Sequence, residues 1–163
     1  MSLAGSYVHV VNGFIKSLEY HDRVLKMKTA GVTHKQSLLQ LPIAANCMNW
    51  NLGHILVYRE EYLGVLDGVT EPDKAEFAVY GYGSPLMTDG KGALQMELIL
   101  KRIFALSPKI KAALKATSAE RFAEMHNEER DLTVEDNTRV YLQYHEAFHL
   151  GQVEILQELA KAV

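Results

Sequence analysis

The sequence predicts an all-α fold, a bundle of four helices. Three observations carry that reading. Four long segments repeat apolar residues at helical spacing, no segment sustains the alternation of a strand, and the stretches between them are rich in turn-forming residues. Amphipathic helices must bury their apolar stripes, and four of them can do so against one another as a bundle.

The first segment runs from about Tyr7 to Lys28, with Val8, Val11, Phe14, Ile15, Leu18, Val24 and Leu25 as its stripe. The second runs from about Ala45 to Leu66. Cys47, Trp50, Asn51, His54, Tyr58, Glu61 and Val65 stand on nearly one side of it, a mixed face of the kind that walls a site. The third runs from about Ala93 to Lys115, with Leu94, Leu98, Ile99, Ile103, Phe104 and Leu106 inward. Pro108 falls inside it and is expected to kink it, because proline cannot bond back to the carbonyl of Phe104. The fourth starts with Thr133 or Asp136 as N-cap and runs to about Lys161. Its expected inward stripe is Tyr141, Phe148, Gln152, Ile155, Leu156 and Leu159.

About fifteen residues around Leu41-Pro42 join the first two helices. A longer stretch, from about Asp67 to Gly92, joins the second and third and contains Pro72, Pro85 and five glycines. Antiparallel neighbours need only about 2–8 residues. A connection this long can cross the bundle and let helices two and three run parallel; it can also lid a site or contact another subunit.

The chain has 163 residues, 48% of them hydrophobic, which suits one domain over 1–163 with a core that needs no staple. The single cysteine, Cys47, excludes an internal disulfide and fits a reducing, cytoplasmic setting. A net charge of −3 with dispersed lysines and arginines argues against nucleic acid as a partner. No run of about 18 apolar residues exists, so no membrane span is expected. Residues 1–6 lack the basic and apolar regions of an export signal.

Chemistry enters with seven histidines. His145 and His149 stand one turn apart and can reach a single cation at about 2.0–2.1 Å. They fall on or beside the inward stripe, where an unpartnered neutral imidazole costs about 1–3 kcal/mol. A cation would use the lone pairs; two core histidines bonded to neighbours are the plain alternative. His54 is the candidate third ligand. The spelling His145-Glu146-x-x-His149 also matches zinc proteases. There the third and sixth positions after the second histidine would be Gly and His, but they are Gln152 and Ile155, and no sheet is expected to hold a peptide.

His145-x-x-x-His149-x-Gly151-Gln152 before Val153-x-Ile155-Leu156, together with Trp50-x-x-x-His54, resembles the DinB/YfiT-like family. Helix order and loop lengths extend the resemblance over nearly the whole chain. It implies a four-helix bundle of up-down-down-up course, with the long crossover between helices two and three. It also implies one divalent metal, zinc or nickel, on His54, His145 and His149, and a homodimer. The implied activity is that of a metal-dependent hydrolase or a thiol-dependent S-transferase, acting on a small molecule with a low-molecular-weight thiol. A non-catalytic metal or small-molecule binding module, or a dimeric stress-response protein without turnover, is the alternative.

Three neutral imidazoles leave a divalent ion its full charge and an open position, where a water or a thiol becomes a nucleophile. Glu61, two turns beyond His54, is the candidate general base. Asn51 and Tyr58 are candidate wall residues, and Gln152 a partner for a ligand ring. Glu146 is expected on the surface, Gly151 in a close helix contact, Cys47 as a small buried hydrophobe, and Met48, Met87, Met96 and Met125 as core filler.

Overall fold

A computed structural model describes residues 3–163, with side chains from Tyr7 onward. The expectation about an export signal falls on residues 1–6, whose side chains lie outside that range. Helix α1, Leu3–Thr29, buries Val11, Phe14, Ile15, Leu18 and Leu25 as its spacing predicts, while Val8 points out. The first connection contains α2, His34–Ser37, opened by a reciprocal cap between Thr33 and Gln36. Helix α3, Met48–Asp67, is buried without a break from Met48 to Val57. A helix covered on all sides lies at the centre of its fold. It stops at Gly68, whose φ of +72° is open to glycine and whose N–H closes on Gly64.

The long connection is not bare loop. It folds into α4, Lys74–Tyr80, capped by the Asp73 carboxylate. Tyr80 ends fully buried, its ring lying on Gly53 where a Cβ would stand 2.2 Å from a ring atom. Its hydroxyl donates to Asn49 Oδ1 at 3.0 Å and accepts from the Leu94 N–H at 2.7 Å. These contacts turn the connection into a wall against α3.

Helix α5, Met96–Ala116, continues through Pro108 and buries Ile99, Ile103, Leu106, Ile110 and Leu114; Leu98 faces out. After α6, Ala119–Ala123, comes a hairpin that no alternation announced, β1 Met125–Asn127 against β2 Leu132–Thr133. Such short strands hold too few residues for a period of two to show. Thr133 caps α7, Val134–Arg139, with Asp136 completing the box, so both residues expected at this N-terminus take part. A π-turn, Val140–His145, leads directly into α8, Glu146–Lys161.

The π-turn overturns the stripe expected for the last helix. A wider turn shifts the phase of every residue beyond it. Glu146, His149, Leu150, Val153, Leu156, Gln157 and Ala160 are buried, whereas Phe148 and Ile155 are more than half exposed. Gly151 is exposed and an added Cβ there would meet nothing within 4 Å, so it allows no close helix contact. Met48, Met87 and Met96 fill the core, but Met125 lies half exposed on the hairpin.

The described residues are all-α apart from that hairpin. Helix α3 packs against α4, α5 and α8, and α1 packs against α5 and α8, so the core lies among the four long helical stretches. Among the described residues, no helix is long and apolar enough to cross a membrane.

Candidate metal centre

His54 comes from the middle of α3, His145 closes the π-turn, and His149 sits one turn into α8. The structure brings all three together: one nitrogen from each lies within 4.8 Å of the others. Nε2 of His54 stands 2.9 Å from Nε2 of His145. His54 and His149 are buried, and His145 is half-buried.

The rings are held from behind. Nδ1 of His54 donates to the Tyr80 carbonyl at 2.5 Å, so the end of α4 sets the tautomer and leaves the Nε2 lone pair pointing inward. Trp50 stacks on the same ring, centroids 4.4 Å apart, and its own N–H is anchored to the Val79 carbonyl and Ser84 Oγ. Nδ1 of His149 donates to Asn51 Oδ1 at 2.9 Å and Gln152 Oε1 at 2.7 Å. The Asn51 amide nitrogen is committed to the Cys47 carbonyl, which fixes its oxygen toward the histidine.

Burial keeps the imidazoles uncharged. It brings His54 down to about 4, with the Tyr80 carbonyl opposing and His145 adding to the fall. His149 falls to about 3, by burial first and then by its two histidine neighbours. His145 is lowered by burial, against the pull of Glu146. At neutral pH the lone pairs are therefore available. Without a cation, the 2.9 Å approach of two Nε2 atoms requires a proton on one of them; a cation accepts both lone pairs. The donor set fits a divalent transition metal with neutral imidazole ligands.

Glu146 is not a surface residue. It is 3% exposed and forked onto Arg59, with Nη2 2.5 Å from Oε1 and Nε 3.1 Å from Oε2. Nδ1 of His21 lies 3.3 Å from the same carboxylate. Burial alone would raise its pKa, but the Arg59 charge and the hydrogen bonds bring it down to about 2. Arg59 is itself buried and also reaches Asp22, Ser107 Oγ and the Ile103 carbonyl. This network was missed from sequence, since Arg59 reads as an ordinary helix charge and the phase of Glu146 depends on the π-turn.

Beside His54 and His145 opens a cleft of about 470 Å³, walled by Tyr58, Glu61 and Tyr141 and closed by His126, Arg130 and Asn137. Glu61 lines this cleft together with His54 and His145. Its Oε2 has no partner among the described residues, and burial raises its pKa against the influence of the Tyr141 hydroxyl. Cys47 is fully buried at the start of α3, its thiol pushed up by burial, and stands outside the histidine cluster.

In comparisons with known proteins, a family model described as the DinB superfamily matches residues 35–153, a span that includes all three histidines. No curated protein matches the sequence significantly.

Proposed function

The chain belongs to the DinB superfamily, and from this premise we propose that it is a metal-dependent enzyme acting on a small molecule by hydrolysis or thiol transfer. His54, His145 and His149 would hold one divalent transition metal, zinc or nickel. The observation that carries the reading is the convergence of three uncharged imidazoles, two of them fixed by acceptors on Nδ1 so that Nε2 faces the cluster. When bound, the ion supplies the positive charge that makes a water or a thiol acidic enough to act as a nucleophile near neutral pH.

The chain's own residues do the rest. Tyr80 and Asn51 keep their rings aimed inward, so little reorganisation accompanies reaction. Glu61 accepts the proton lost by the nucleophile and delivers it to the leaving group, a role supported by its unpartnered Oε2 in the cleft. Tyr58 and Tyr141 narrow the cleft and limit water. The adjoining cleft supports turnover over a purely structural ion, which would be closed off by protein.

The same reading takes α1, α3, α5 and the α7–α8 unit as a single four-helix-bundle domain of up-down-down-up course, which the contacts among these helices support. The exposed row Tyr144, Phe148 and Ile155 on the last helix offers a face for the homodimer.

The test begins with protein purified without a histidine tag or nickel column. About one metal per chain is expected, and a content near zero removes the reading. Panels of thiols with electrophiles, and of small esters and amides, should then reveal turnover that His149→Ala abolishes. Tight binding without product in either panel would favour a binding module.

A further inference from the structure

The cleft contains polar groups that neither the metal reading nor the packing of the chain explains. Arg130 stands in the turn between β1 and β2, where its backbone N–H is held by Asn127 Oδ1 at 3.0 Å. Arg130 is exposed and is among the residues that line the cleft. Arg59, Arg102, Arg121 and Arg139 each pair with a carboxylate, and Arg23 lies over the Tyr20 ring. Arg130 pairs with no carboxylate among the described residues. Its charge is nevertheless felt in the cleft: burial raises the Tyr58 and Tyr141 phenols, and Arg130 opposes the rise in both.

Asn137 supplies the second observation. It lines the same cleft from α7, is 5% exposed, and its Nδ2 has no hydrogen-bond partner among the described residues. A buried donor left unmade is destabilising, and natural chains rarely keep one without a use. On another wall, Glu61 leaves a buried acceptor unmade. No ion pair joins Glu61 to Arg130 among the described residues, and Glu61 Oε2 has no partner there. The cleft therefore offers unpartnered donors, one of them charged, and a separate acidic group that would repel an anion.

We propose that this cleft selects substrates bearing a carboxylate, with the carboxylate received by Arg130 and Asn137 and the reacting group directed to the three histidines. The proposal rests on the metal reading above. A guanidinium and an amide donor suit the two oxygens of a carboxylate, and Glu61 disfavours the reversed orientation. The hairpin thus acts as a specificity element. Asn137 is a positioning group kept at some cost to stability.

Cobalt-loaded protein allows the test, because thiolate binding to cobalt(II) produces a sulfur-to-metal charge-transfer band. The probes are mercaptoacetate, mercaptopropionate and mercaptobutyrate, each compared with its own amide, since the distance to be spanned selects the length. At least one acid should bind about tenfold or more tightly than its amide. Arg130→Gln should bring that ratio near one. Asn137→Leu, close in size, should lower the ratio while thermal stability holds or rises; a merely structural asparagine would lose stability and leave the ratio alone. Equal binding of acid and amide at every length, with the band present, overturns the carboxylate site and leaves the metal reading standing. A ratio retained in Arg130→Gln does the same. If no probe produces the band, the metal reading fails and the carboxylate site fails with it.

Discussion

Glu146 sits next to a histidine of the cluster, yet its carboxylate is engaged by Arg59 in a fully protein-lined setting. Two buried charges of this kind add little net stability as a pair, but removing one exposes the whole desolvation penalty of the other. Glu146→Gln is expected to destabilise the fold by about 3–5 kcal/mol in denaturant unfolding. The histidines make a second, pH-dependent contribution. Their pKa values are lower folded than unfolded, so the unfolded chain binds protons first as pH falls. Metal-free protein should lose stability from about 6.5, the unfolded imidazole value, down toward 4 for His54 and 3 for His149. Glu146 begins to contribute acid sensitivity only below its ordinary 4.5, and the raised Glu60 and Glu61 act in the opposite sense. Between about pH 6.5 and 4.5, His149→Ala should flatten the loss seen in thermal melts at successive pH. At this scale the cluster was legible: helical spacing paired His145 with His149, and the resemblance carried by Trp50-x-x-x-His54 added the third ring. Arg130 and Asn137 were not, since Arg130 sits in the turn of a hairpin without periodicity and Asn137 on α7, a helix of only six residues.

The π-turn Val140–His145 does for the last helix what no side chain could. It lets Thr133 cap one end, presents His145 and Tyr141 to the cleft, and still buries Val153 and Leu156 in the core. Deleting the exposed Gln143 should let the segment close into a regular α-helix and rotate everything before it by about 100° relative to α8. Far-UV circular dichroism and bound metal should remain close to wild type, since His145 and His149 both follow the deletion, while Tyr141 leaves the cleft and turnover falls; loss of the metal would show that the turn also sets the ligand geometry. The four long helices were legible to within about four residues at their ends, since each carries several turns of apolar spacing. The short helices α2 and α4 were not, being only four and seven residues long. Tyr80 is the cost of that blindness: the residue whose carbonyl orients His54 looked like part of a loop.

At the scale of the molecule, the histidines join segments far apart in the chain, since His54 and His145 are 91 positions apart. An ion held there links α3 to the last helix and stabilises the folded state through mass action. At a hundredfold excess over Kd the gain is about 2.7 kcal/mol, which corresponds to a Tm rise of roughly 5–10 °C for a chain of this size. Calorimetry with and without zinc should show the rise, chelator should reverse it, and His149→Ala should remove it. The chelated protein should stay folded, because Phe14, Leu18, Leu52, Ile99 and Ile103 are fully buried without help from the histidines. Helical class was legible because the apolar pattern has one period throughout. The arrangement of the walls around the cleft was not, because it depends on contacts such as Tyr80 on Gly53 that join residues remote in sequence.

The sequence holds one tryptophan, and it is the residue lying face to face with the His54 ring. Ultraviolet emission from this protein therefore has a single indole source, tethered at its nitrogen to Val79 and Ser84. Electron withdrawal from the neighbouring imidazole would alter its brightness or colour. Occupancy could then be followed in a cuvette, label-free, by the molecule's own light.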